Sequence, residues 1–355
     1  MYTPRYLISN QIMRNIGRVE AAKEVIENAP LVPDFEKQFQ SDAIVRQVYH
    51  GTHIEGNELT IDQTRQVMEG QQIYGRDRDI QEVINYRNTV RYLDQVKDQN
   101  PQYTLGELLE IHRLTVTNLV PIEKAGYLRS TNVVIKEEGT GKVIFTPPPP
   151  VQVPYMLEDF FNWLNSEAAR DIHPVVRAGI VHYVLVAIHP FVEGNGRTAR
   201  AYATLVMLKE GYDIKRFFAI EEYFDNDLDR YYDTFFVVDT QSPDISQRDL
   251  TPWIEYFTEV VGVELNKIKE KIRKLSVDSR LKVRIGEQVA LSARQMKLIE
   301  YLSEQGSAGM RDLNDVLPMV SEDTVLRDLK DLIDKNIVDK EGKTKAARYV
   351  LKTKD

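Results

Sequence analysis

The stretch of sequence that decides the fold reads His189-Pro190-Phe191-Val192-Glu193-Gly194-Asn195-Gly196-Arg197-Thr198-Ala199-Arg200. It lies between two segments with helical spacing of apolar residues, Asp171 to Ile188 and Asn195 to Gly211. The first segment is apolar on almost every face, which is typical of a helix buried at the centre of its domain. Because proline cannot continue a helix, the first helix is predicted to end at His189, and the second to begin just after the glycine at 194.

The start of the second helix has the properties of an anion site. Free amide groups and the positive end of the helix dipole meet there, and Gly194 and Gly196 let phosphate oxygens approach the backbone. Arg197 and Arg200 lie three residues apart, so we expect both guanidinium groups to point toward the same anion. Glu193, just before the helix, can hold Mg²⁺ through one carboxylate while phosphates supply further ligands.

His189 is the candidate base of this site. The negative end of the first helix dipole is expected to make its imidazole more basic, with a pKa near neutral pH. Such a group can accept a proton from a hydroxyl that attacks phosphorus. The run therefore combines a base, a metal ligand, an anion cradle and two positive charges, which is the layout of a nucleotide phosphate site.

This run resembles the signature motif of Fic-domain proteins at each constrained position, including the acidic residue at Glu193 and the second arginine at Arg200. A lone Gly-x-Gly pattern is weak evidence, whereas a run of this length is specific, and the resemblance covers roughly the first three quarters of the chain. It implies a mainly α fold, a Fic-type helical bundle with a small β-hairpin flap. It also implies transfer of AMP from ATP to a protein Ser, Thr or Tyr hydroxyl, with Mg²⁺ as cofactor.

The resemblance also implies a set of site residues. His189 is the catalytic residue and Glu193 the Mg²⁺ ligand. A segment from Tyr223 to Tyr232 resembles the part of the family that closes over the nucleotide base, although Tyr231 and Tyr232 can equally be core residues. The residues expected to bind ATP are Glu55, His189, Gly194, Asn195, Gly196, Arg197, Thr198, Ala199, Arg200 and, beside the adenine, Asn226.

The segment Gly51-Thr52-His53-Ile54-Glu55-Gly56-Asn57 resembles the inhibitory motif of the same family, a Ser or Thr followed four residues later by Glu and then Gly. If the resemblance holds, Glu55 pairs with Arg200 and takes the space of the γ-phosphate. The sequence departs from the pattern at Gly51, which stands at the Ser/Thr position, so we expect a looser hold and measurable basal activity. The alternative is an ordinary surface glutamate before a turn. A capping box at Thr60 and Gln63 predicts the next helix.

Two β-branched runs, Thr131 to Ile135 and Lys142 to Thr146, predict a β-hairpin joined by Glu137 to Gly141. In Fic proteins this position holds a flap to which the target's modifiable segment adds in extended form. Strand addition aligns a peptide main chain without demanding much of its sequence, so an unknown target protein is expected to dock on hairpin 131–146. The alternative is a loop without a function. Self-modification and a homodimer are left open.

Composition limits the class of protein. The chain has 355 residues, 42% of them hydrophobic, no cysteine and a net charge of −8. These values predict a globular protein without disulfides, cytoplasmic, with no membrane association and no non-specific binding to nucleic acid. We expect three regions: residues 1–100, an N-terminal helical part with the inhibitory motif; residues 101–275, the catalytic core and its C-terminal helices; and residues 290–355, a separate module.

The C-terminal module resembles a winged helix. Three helices are predicted, Leu291 to Gln305, Met310 to Leu317 and Ser321 to Asn336, followed by a hairpin of Ile337-Val338 and Ala347 to Leu351. The third helix would recognise DNA through Arg327 and Lys330, but its carboxylates at Glu322, Asp323, Asp328 and Asp331 oppose a phosphate backbone. DNA contact through this helix and a basic wing at Lys343, Lys345 and Arg348, partner binding and self-packing therefore all remain open.

Two further readings of the function stay open beside protein adenylylation. Relatives with this resemblance transfer phosphate or phosphocholine, or remove AMP, on the same fold. A different class is a DNA-binding regulator whose Fic region only senses nucleotide. Two histidine pairs, His182 with His189 and His50 with His53, carry no local carboxylate pattern typical of zinc, so we expect packing or surface roles for them.

Overall fold

A computed structural model describes residues 2–29, 33–136, 143–284, 292–318, 320–342 and 347–352. The fold is mainly helical, as predicted. It divides into two compact units: residues 33–269 together with the N-terminal helix, and the residues from 270 onward. The predicted helical N-terminal region and the predicted core thus lie within one unit. No helix in the described ranges is both long enough and apolar enough to cross a bilayer.

The first unit contains the motif and is built from helices and one short hairpin. Its helices are α1 (Asn10–Glu27), α2 (Pro33–His53), α3 (Ile61–Met68), α4 (Asp77–Val96), α5 (Leu105–Val116), α6 (Val153–Leu164), α7 (Glu167–Arg170), α8 (Pro174–Ile188), α9 (Asn195–Lys209), α10 (Ile220–Asn226), α11 (Leu228–Asp239) and α12 (Thr251–Arg284), the last of which belongs to this unit up to residue 269.

Helix α8 is the buried axis of this unit, as its all-round apolar sequence predicted. Pro174 stands in its first turn, and the side chain of His173 accepts the backbone N–H of Val175 at 3.2 Å. On one side Gly179 lets α12 approach closely, because a Cβ there would lie 3.0 Å from Cδ1 of Phe257. Trp253 Nε1, also of α12, donates to the Gly179 carbonyl at 2.7 Å. On another side α8 packs against α9, which places the motif between two buried helices.

Helices α2, α4 and α5 pack around α9 and bring the N-terminal region to the motif. The predicted capping box is present at the start of α3, where Thr60 and Gln63 exchange hydrogen bonds. A second box, Thr104 with Glu107, begins α5. These caps fix where α3 and α5 begin, and the second therefore fixes which residues of α5 face the motif.

The hairpin consists of β1 (Ile135–Lys136) and β2 (Val143–Phe145), paired antiparallel. Its first strand begins four residues later than the predicted Thr131, since Thr131 to Val134 are not in a strand. Residues 137–142, the predicted turn, lie outside the described residues. Val134 and Val143 are each nearly half exposed, so the described part of the hairpin leaves apolar side chains uncovered.

The second unit has its own small core and a three-stranded antiparallel sheet of order β3-β5-β4. Its elements are α13 (Ala293–Gln305), β3 (Ser307–Gly309), α14 (Met310–Val316), α15 (Glu322–Asp334), β4 (Val338–Glu341) and β5 (Arg348–Leu351). The three helices and the hairpin lie close to their predicted positions. Strand β3 was not predicted, because the three small residues Ser-Ala-Gly carry no strand pattern. The winged-helix class stays a prediction, and wing residues 343–346 lie outside the described part.

Two of the carboxylates that opposed DNA binding on α15 are engaged inside the second unit. Arg294 of α13 donates to Asp328 at 2.8 Å, and Asp328 is buried. Gln295 and Lys335 both donate to Asp331 at 2.5 Å. The exposed face of α15 therefore carries less free negative charge than its sequence alone indicates.

Candidate active site

His189 ends α8 in the left-handed backbone conformation, with φ +52°. Its backbone N–H still donates to the Leu185 carbonyl at 3.1 Å, which closes the last helical turn. The imidazole Nδ1 lies 3.2 Å from the Val186 carbonyl, an acceptor, so Nδ1 must carry the proton. This contact leaves Nε2 with its lone pair free, which is the tautomer that a general base requires.

The expected direction of the His189 pKa was wrong. Burial lowers its pKa to about 4, with Arg129 lowering it further, while the Val186 carbonyl and Glu55 act in the opposite direction. The dipole of α8 was expected to raise the pKa, but the loss of hydration on burial disfavours the charged imidazolium more strongly. The histidine is therefore neutral at pH 7.

The loop between the two helices is closed by Asn195 and supported from below by His112. Asn195 Oδ1 accepts the Phe191 N–H and its Nδ2 donates to the Phe191 carbonyl, both at 2.9 Å. The His112 ring stacks on Phe191 with 3.6 Å between centroids. His112 Nε2 lies 3.0 Å from the Glu193 carbonyl, and its Nδ1 accepts the Gly126 N–H. Sequence reasoning missed His112, since its ring reaches the loop from α5, far away in the chain.

Gly194 and Gly196 are required at the start of α9 for different reasons. Gly194 has φ +77°, and a Cβ there would lie 2.5 Å from Val116 Cγ1. A Cβ on Gly196 would overlap Glu55 Oε1 and approach Arg200 Nη1 to 3.2 Å. The first glycine makes the turn, and the second lets an acidic group lie against the helix start.

The acidic group at the helix start is Glu55, just past the end of α2. Arg200 Nη2 donates to Glu55 Oε1 at 2.7 Å and to the Gly51 carbonyl at 3.0 Å. Burial alone would raise the pKa of Glu55, but the charges of Arg200 and Arg197 outweigh it and lower that pKa. Arg200 therefore binds this carboxylate directly, whereas Arg197 acts on it only through its charge.

Arg197 is buried and incompletely paired. Its Nη1 lies 3.4 Å from Glu82 and its Nη2 lies 3.7 Å from Glu193, while its Nε has no hydrogen-bond acceptor among the described residues. A buried guanidinium with a spare N–H is costly unless an anion can use it. The Nε–H of Arg197 is thus a buried donor without a partner among the described residues.

Glu193, the expected Mg²⁺ ligand, is paired with Arg78 of α4. Arg78 also donates to Glu82 at 3.2 Å, and Glu82 in turn accepts from Asn57, which belongs to the segment of residues 51–57 that carries Glu55. Arg78 and Glu82 were not found from the sequence. Their only signal there is a charged pair four residues apart on a helix, which is common on solvated faces.

Arg129 connects the hairpin to His189. Its side chain donates to the His189 carbonyl at 2.7 Å, to the Pro148 carbonyl at 2.5 Å and to the Thr131 carbonyl at 3.2 Å. Arg129 is buried, and its single guanidinium group binds carbonyl groups on both sides of the hairpin and at the end of α8. Sequence reasoning missed this arginine too, because a lone arginine before a strand has no distinctive pattern.

Asn226 lies at the end of α10, exposed, next to Asp225. Asp225 accepts from His50 Nδ1 at 2.7 Å and from His53 Nδ1 at 2.8 Å. The two histidines thus share a carboxylate from a distant helix, which no local pattern could reveal. Hence α10, with Asn226, is fastened to the segment that carries Glu55.

The aromatic residues of the segment from Tyr223 to Tyr232 divide into core and surface. Tyr231 is buried, and its hydroxyl lies 3.2 Å from His182 Nε2 inside an aromatic cluster. Tyr232 is half exposed. Partial burial of its hydroxyl raises the pKa of that group most, and the charge of Glu55 raises it further. The core alternative therefore holds for Tyr231, whereas Tyr232 borders the site.

A metal site built from protein ligands alone is absent from the described ranges, where no cluster of three or more His, Cys, Asp or Glu side chains is suited to a metal ion. The His182 and His189 pair is not a site either, since His182 is enclosed by aromatic rings. A metal ion at Glu193 would need ligands from a bound phosphate.

These features define a helical protein with a preformed anion site beside a neutral histidine. The sequence model of the Fic/DOC family matches residues 102–207, which include the whole run from His189 to Arg200 but not Glu55. Residues 102–207 are therefore a Fic/DOC family domain.

Similar proteins agree with this assignment. Protein adenylyltransferase fic-1 of Caenorhabditis elegans is 39% identical over 169 residues, which are 46% of this chain and 32% of that protein. Protein adenylyltransferase Fic of Drosophila grimshawi is 35% identical over 178 residues, 50% of this chain and 35% of that protein. The chain thus spans about a third of the length of these curated relatives.

Solved structures show the same fold. A crystal structure of a Fic family protein from Desulfovibrio desulfuricans is similar over 100% of this chain and 99% of that one, with a TM-score of 0.65 and 24% identity. The structure of Fic-1 from C. elegans is similar over 74% of both chains, with a TM-score of 0.59 and 26% identity. The first of these likenesses extends to both units of the chain.

Proposed function

We propose that this chain is a protein adenylyltransferase that transfers AMP from ATP to a Ser, Thr or Tyr hydroxyl of a protein and releases pyrophosphate. The observation that carries the proposal is the carboxylate of Glu55, which is bound by Arg200, lies against Gly196 at the start of α9 and feels the charge of Arg197, next to a histidine with a free Nε2. Such a site is suited to an anion, and in this structure the anion is the carboxylate of Glu55. The names of the similar proteins support the same activity.

In the proposed reaction the hydroxyl oxygen attacks the α-phosphorus of ATP, and its proton passes to Nε2 of His189. A bond forms between this oxygen and phosphorus, and the bond from phosphorus to the oxygen bridging to the β-phosphate breaks. Pyrophosphate leaves with the bonding electron pair. The Val186 carbonyl holds the ring in the required tautomer, and the negative charge of a bound polyphosphate favours the protonated ring that results.

The arginines and the turn would stabilise the charge of the reacting phosphates. Arg200 and Arg197 hold the γ- and β-phosphates and neutralise the departing pyrophosphate. Backbone N–H groups from Gly194 to Arg197 face the start of the helix, where the glycines permit close contact. Thr198 and Ala199 follow in the first turn of α9 and are buried, so they shape the floor of the site.

Mg²⁺ fits this site with Glu193 as its protein ligand. The Glu193 side chain is about one-third exposed at the mouth of the loop, and its oxygens suit a hard cation that takes its other ligands from phosphates and water. When bound, the ion would neutralise phosphate charge. Before it binds, Arg78 must give up its pairing with Glu193.

Glu55 is proposed to be autoinhibitory, because it occupies the guanidinium of Arg200 that the γ-phosphate would use. Inhibition by one carboxylate is energetically reasonable: about 1.4 kcal/mol of net attraction is enough to reduce productive binding tenfold. Asn226, fastened to this segment through Asp225, would contact the adenine.

The target is proposed to dock along hairpin 131–146, whose described residues include the nearly half-exposed Val134, just before β1, and Val143 of β2. Arg129 ties the base of this hairpin to the His189 carbonyl. A hydroxyl presented there would lie near the base, whether it belongs to another protein or to a second copy of this chain.

Labelled ATP tests the proposal. Glu55→Gly protein with Mg²⁺ is incubated with ATP carrying ³²P at either the α or the γ position, and protein-bound label is measured together with the mass of the protein. We expect label from the α position only, with an added AMP by mass, and none in the Glu55→Gly, His189→Ala double variant.

Other results would identify another function. Label from the γ position alone would indicate a kinase, and removal of AMP from a modified protein without transfer would indicate the reverse activity. Absence of label combined with tight, sequence-dependent binding to duplex DNA would favour a nucleotide-sensing regulator.

A further inference from the structure

Tyr86 of α4 is a fully buried tyrosine that the proposed reaction does not use. An added Cβ at Gly51 would fall on Cε1 of its ring and lie 3.1 Å from Cζ. Both atoms belong to a buried aromatic ring, which cannot move aside without disturbing its neighbours. Residue 51 is therefore a glycine because the ring of Tyr86 occupies the space of its side chain.

Gly51 also connects Tyr86 to the anion site. The Gly51 carbonyl accepts a hydrogen bond from Arg200 Nη2 at 3.0 Å, the same nitrogen that contacts Glu55. The ring of Tyr86 thus lies directly against the backbone to which Arg200 is bound. Burial and Glu221 raise the pKa of the Tyr86 hydroxyl well above its ordinary value, although the nearby Arg200 opposes them, so the hydroxyl stays protonated.

The Tyr86 hydroxyl has a fixed partner on its far side. It donates to Glu221 Oε1 at 3.2 Å, and Gln47 Nε2 donates to the same oxygen at 3.1 Å. Glu221 is fully buried, and this burial raises its pKa above the ordinary value, although the charge of Arg200 opposes the shift. Gln47, Glu221 and Tyr86 come from three helices, α2, α10 and α4, so this buried polar group is rigid.

We propose that Tyr86, held by Glu221 and Gln47, is a positioning residue that keeps the Arg200 guanidinium in place for the terminal phosphate of ATP. The inference rests on the proposed function for the identity of that phosphate. Arg200 must exchange one anion, Glu55, for another. An arginine side chain has many rotamers, and one that is held in place loses less entropy when the second anion binds.

Nucleotide binding tests the inference. Isothermal titration of ATP and of ADP is carried out on Glu55→Gly protein with and without Tyr86→Phe, which removes only the hydroxyl. ADP lacks the phosphate that Arg200 would hold. We expect ATP to bind about tenfold more weakly to the Tyr86→Phe protein, whereas the affinity for ADP changes by less than about twofold.

Tyr103→Phe in the same background is the matched control. Tyr103 is also buried, and its hydroxyl donates to a glutamate, Glu210, at 2.7 Å, but it lies at the start of α5, away from Arg200. This variant is expected to bind both nucleotides like its parent. Equal weakening of ATP and ADP by Tyr86→Phe would show a merely structural role, and unchanged affinity for ATP would overturn the inference.

The outcome also separates this inference from the proposed function. A Glu55→Gly protein that binds ATP in a Tyr86-dependent way but transfers no AMP would refute the reaction and leave the positioning role intact. A Glu55→Gly protein that binds no ATP would refute both.

Thermal unfolding tests separately whether the ring of Tyr86 excludes a side chain at Gly51. Alanine in place of glycine ordinarily stabilises a helix, yet Gly51→Ala is expected to lower the melting temperature here, and to lower it less when Tyr86→Leu is also present. Equal losses in both backgrounds would show that the ring is not the reason for the glycine.

Discussion

The carboxylate of Glu55 lies 2.7 Å from Nη2 of Arg200, although 145 residues separate the two in the chain. The pair brings the end of α2 against the start of α9, and it places an internal anion where the proposed nucleotide phosphate would bind. In the proposed function, Glu55 and the terminal phosphate of ATP compete for one buried guanidinium, that of Arg200.

Removing the charge of Glu55 should strengthen ATP binding. Because Glu55→Gln keeps the shape of the side chain but weakens its attraction to Arg200, we expect about tenfold tighter binding of ATP by titration calorimetry, or about 1.4 kcal/mol. Glu58→Gln is the control, since Glu58 is an exposed glutamate three residues further on, paired with Arg76. The idea fails if the two variants bind ATP equally well.

Removing Arg78 should free Glu193 for Mg²⁺. In Arg78→Ala the carboxylate loses its partner, so we expect ATP to bind about twofold tighter in the presence of Mg²⁺ and unchanged in EDTA, since a partly exposed pair contributes on the order of 0.5 kcal/mol. Arg65→Ala, which breaks an exposed pair with Asp42, provides the control. A gain that persists in EDTA would mean that Arg78 acts on the phosphates directly.

Stability should fall in mildly acidic solution because of His112. Burial lowers the pKa of this fully enclosed ring from 6.5 to about 4. The unfolded chain therefore takes up a proton before the folded protein does, and the free energy of unfolding decreases as the pH drops from about 6.5 to about 4, by on the order of 1 to 3 kcal/mol.

Urea unfolding of wild type and His112→Gln at pH 7 and pH 4.5 measures this contribution. The variant starts less stable at pH 7, because it loses the stack on Phe191, but we expect it to lose less further stability on acidification. Parallel pH profiles for the two proteins would contradict the assignment.

Glycine at 194 should be needed for space as well as for conformation. Gly194 and Gly211 share a positive φ, +77° and +73°, but only Gly194 has a neighbour, Val116, in the way of a Cβ. We expect Gly211→Ala to cost about 1 kcal/mol and Gly194→Ala to cost about 1 to 3 kcal/mol more. Thermal unfolding of the two variants compares them directly, and equal costs would exclude a steric role.

Local sequence was enough to predict the run from His189 to Arg200, the two helices around it and the capping box at Thr60. These features depend on residues within a turn or two of one another, where proline, glycine and side-chain caps act directly on the backbone. For the same reason the helices and hairpin of the second unit could be placed, whereas strand β3, which is defined by its pairing with the distant β5, could not.

Only the tertiary structure decided the partners of those residues. The pairing of Arg78 with Glu193, the stack of His112 on Phe191 and the space that Tyr86 takes from Gly51 join helices distant in the chain. The tertiary structure also decided the direction of the His189 pKa shift, because the hydration that the ring loses depends on everything packed around it. The sequence by itself determined which chemical groups stand at the site; packing between helices determined their charge, their orientation and the anion they presently hold.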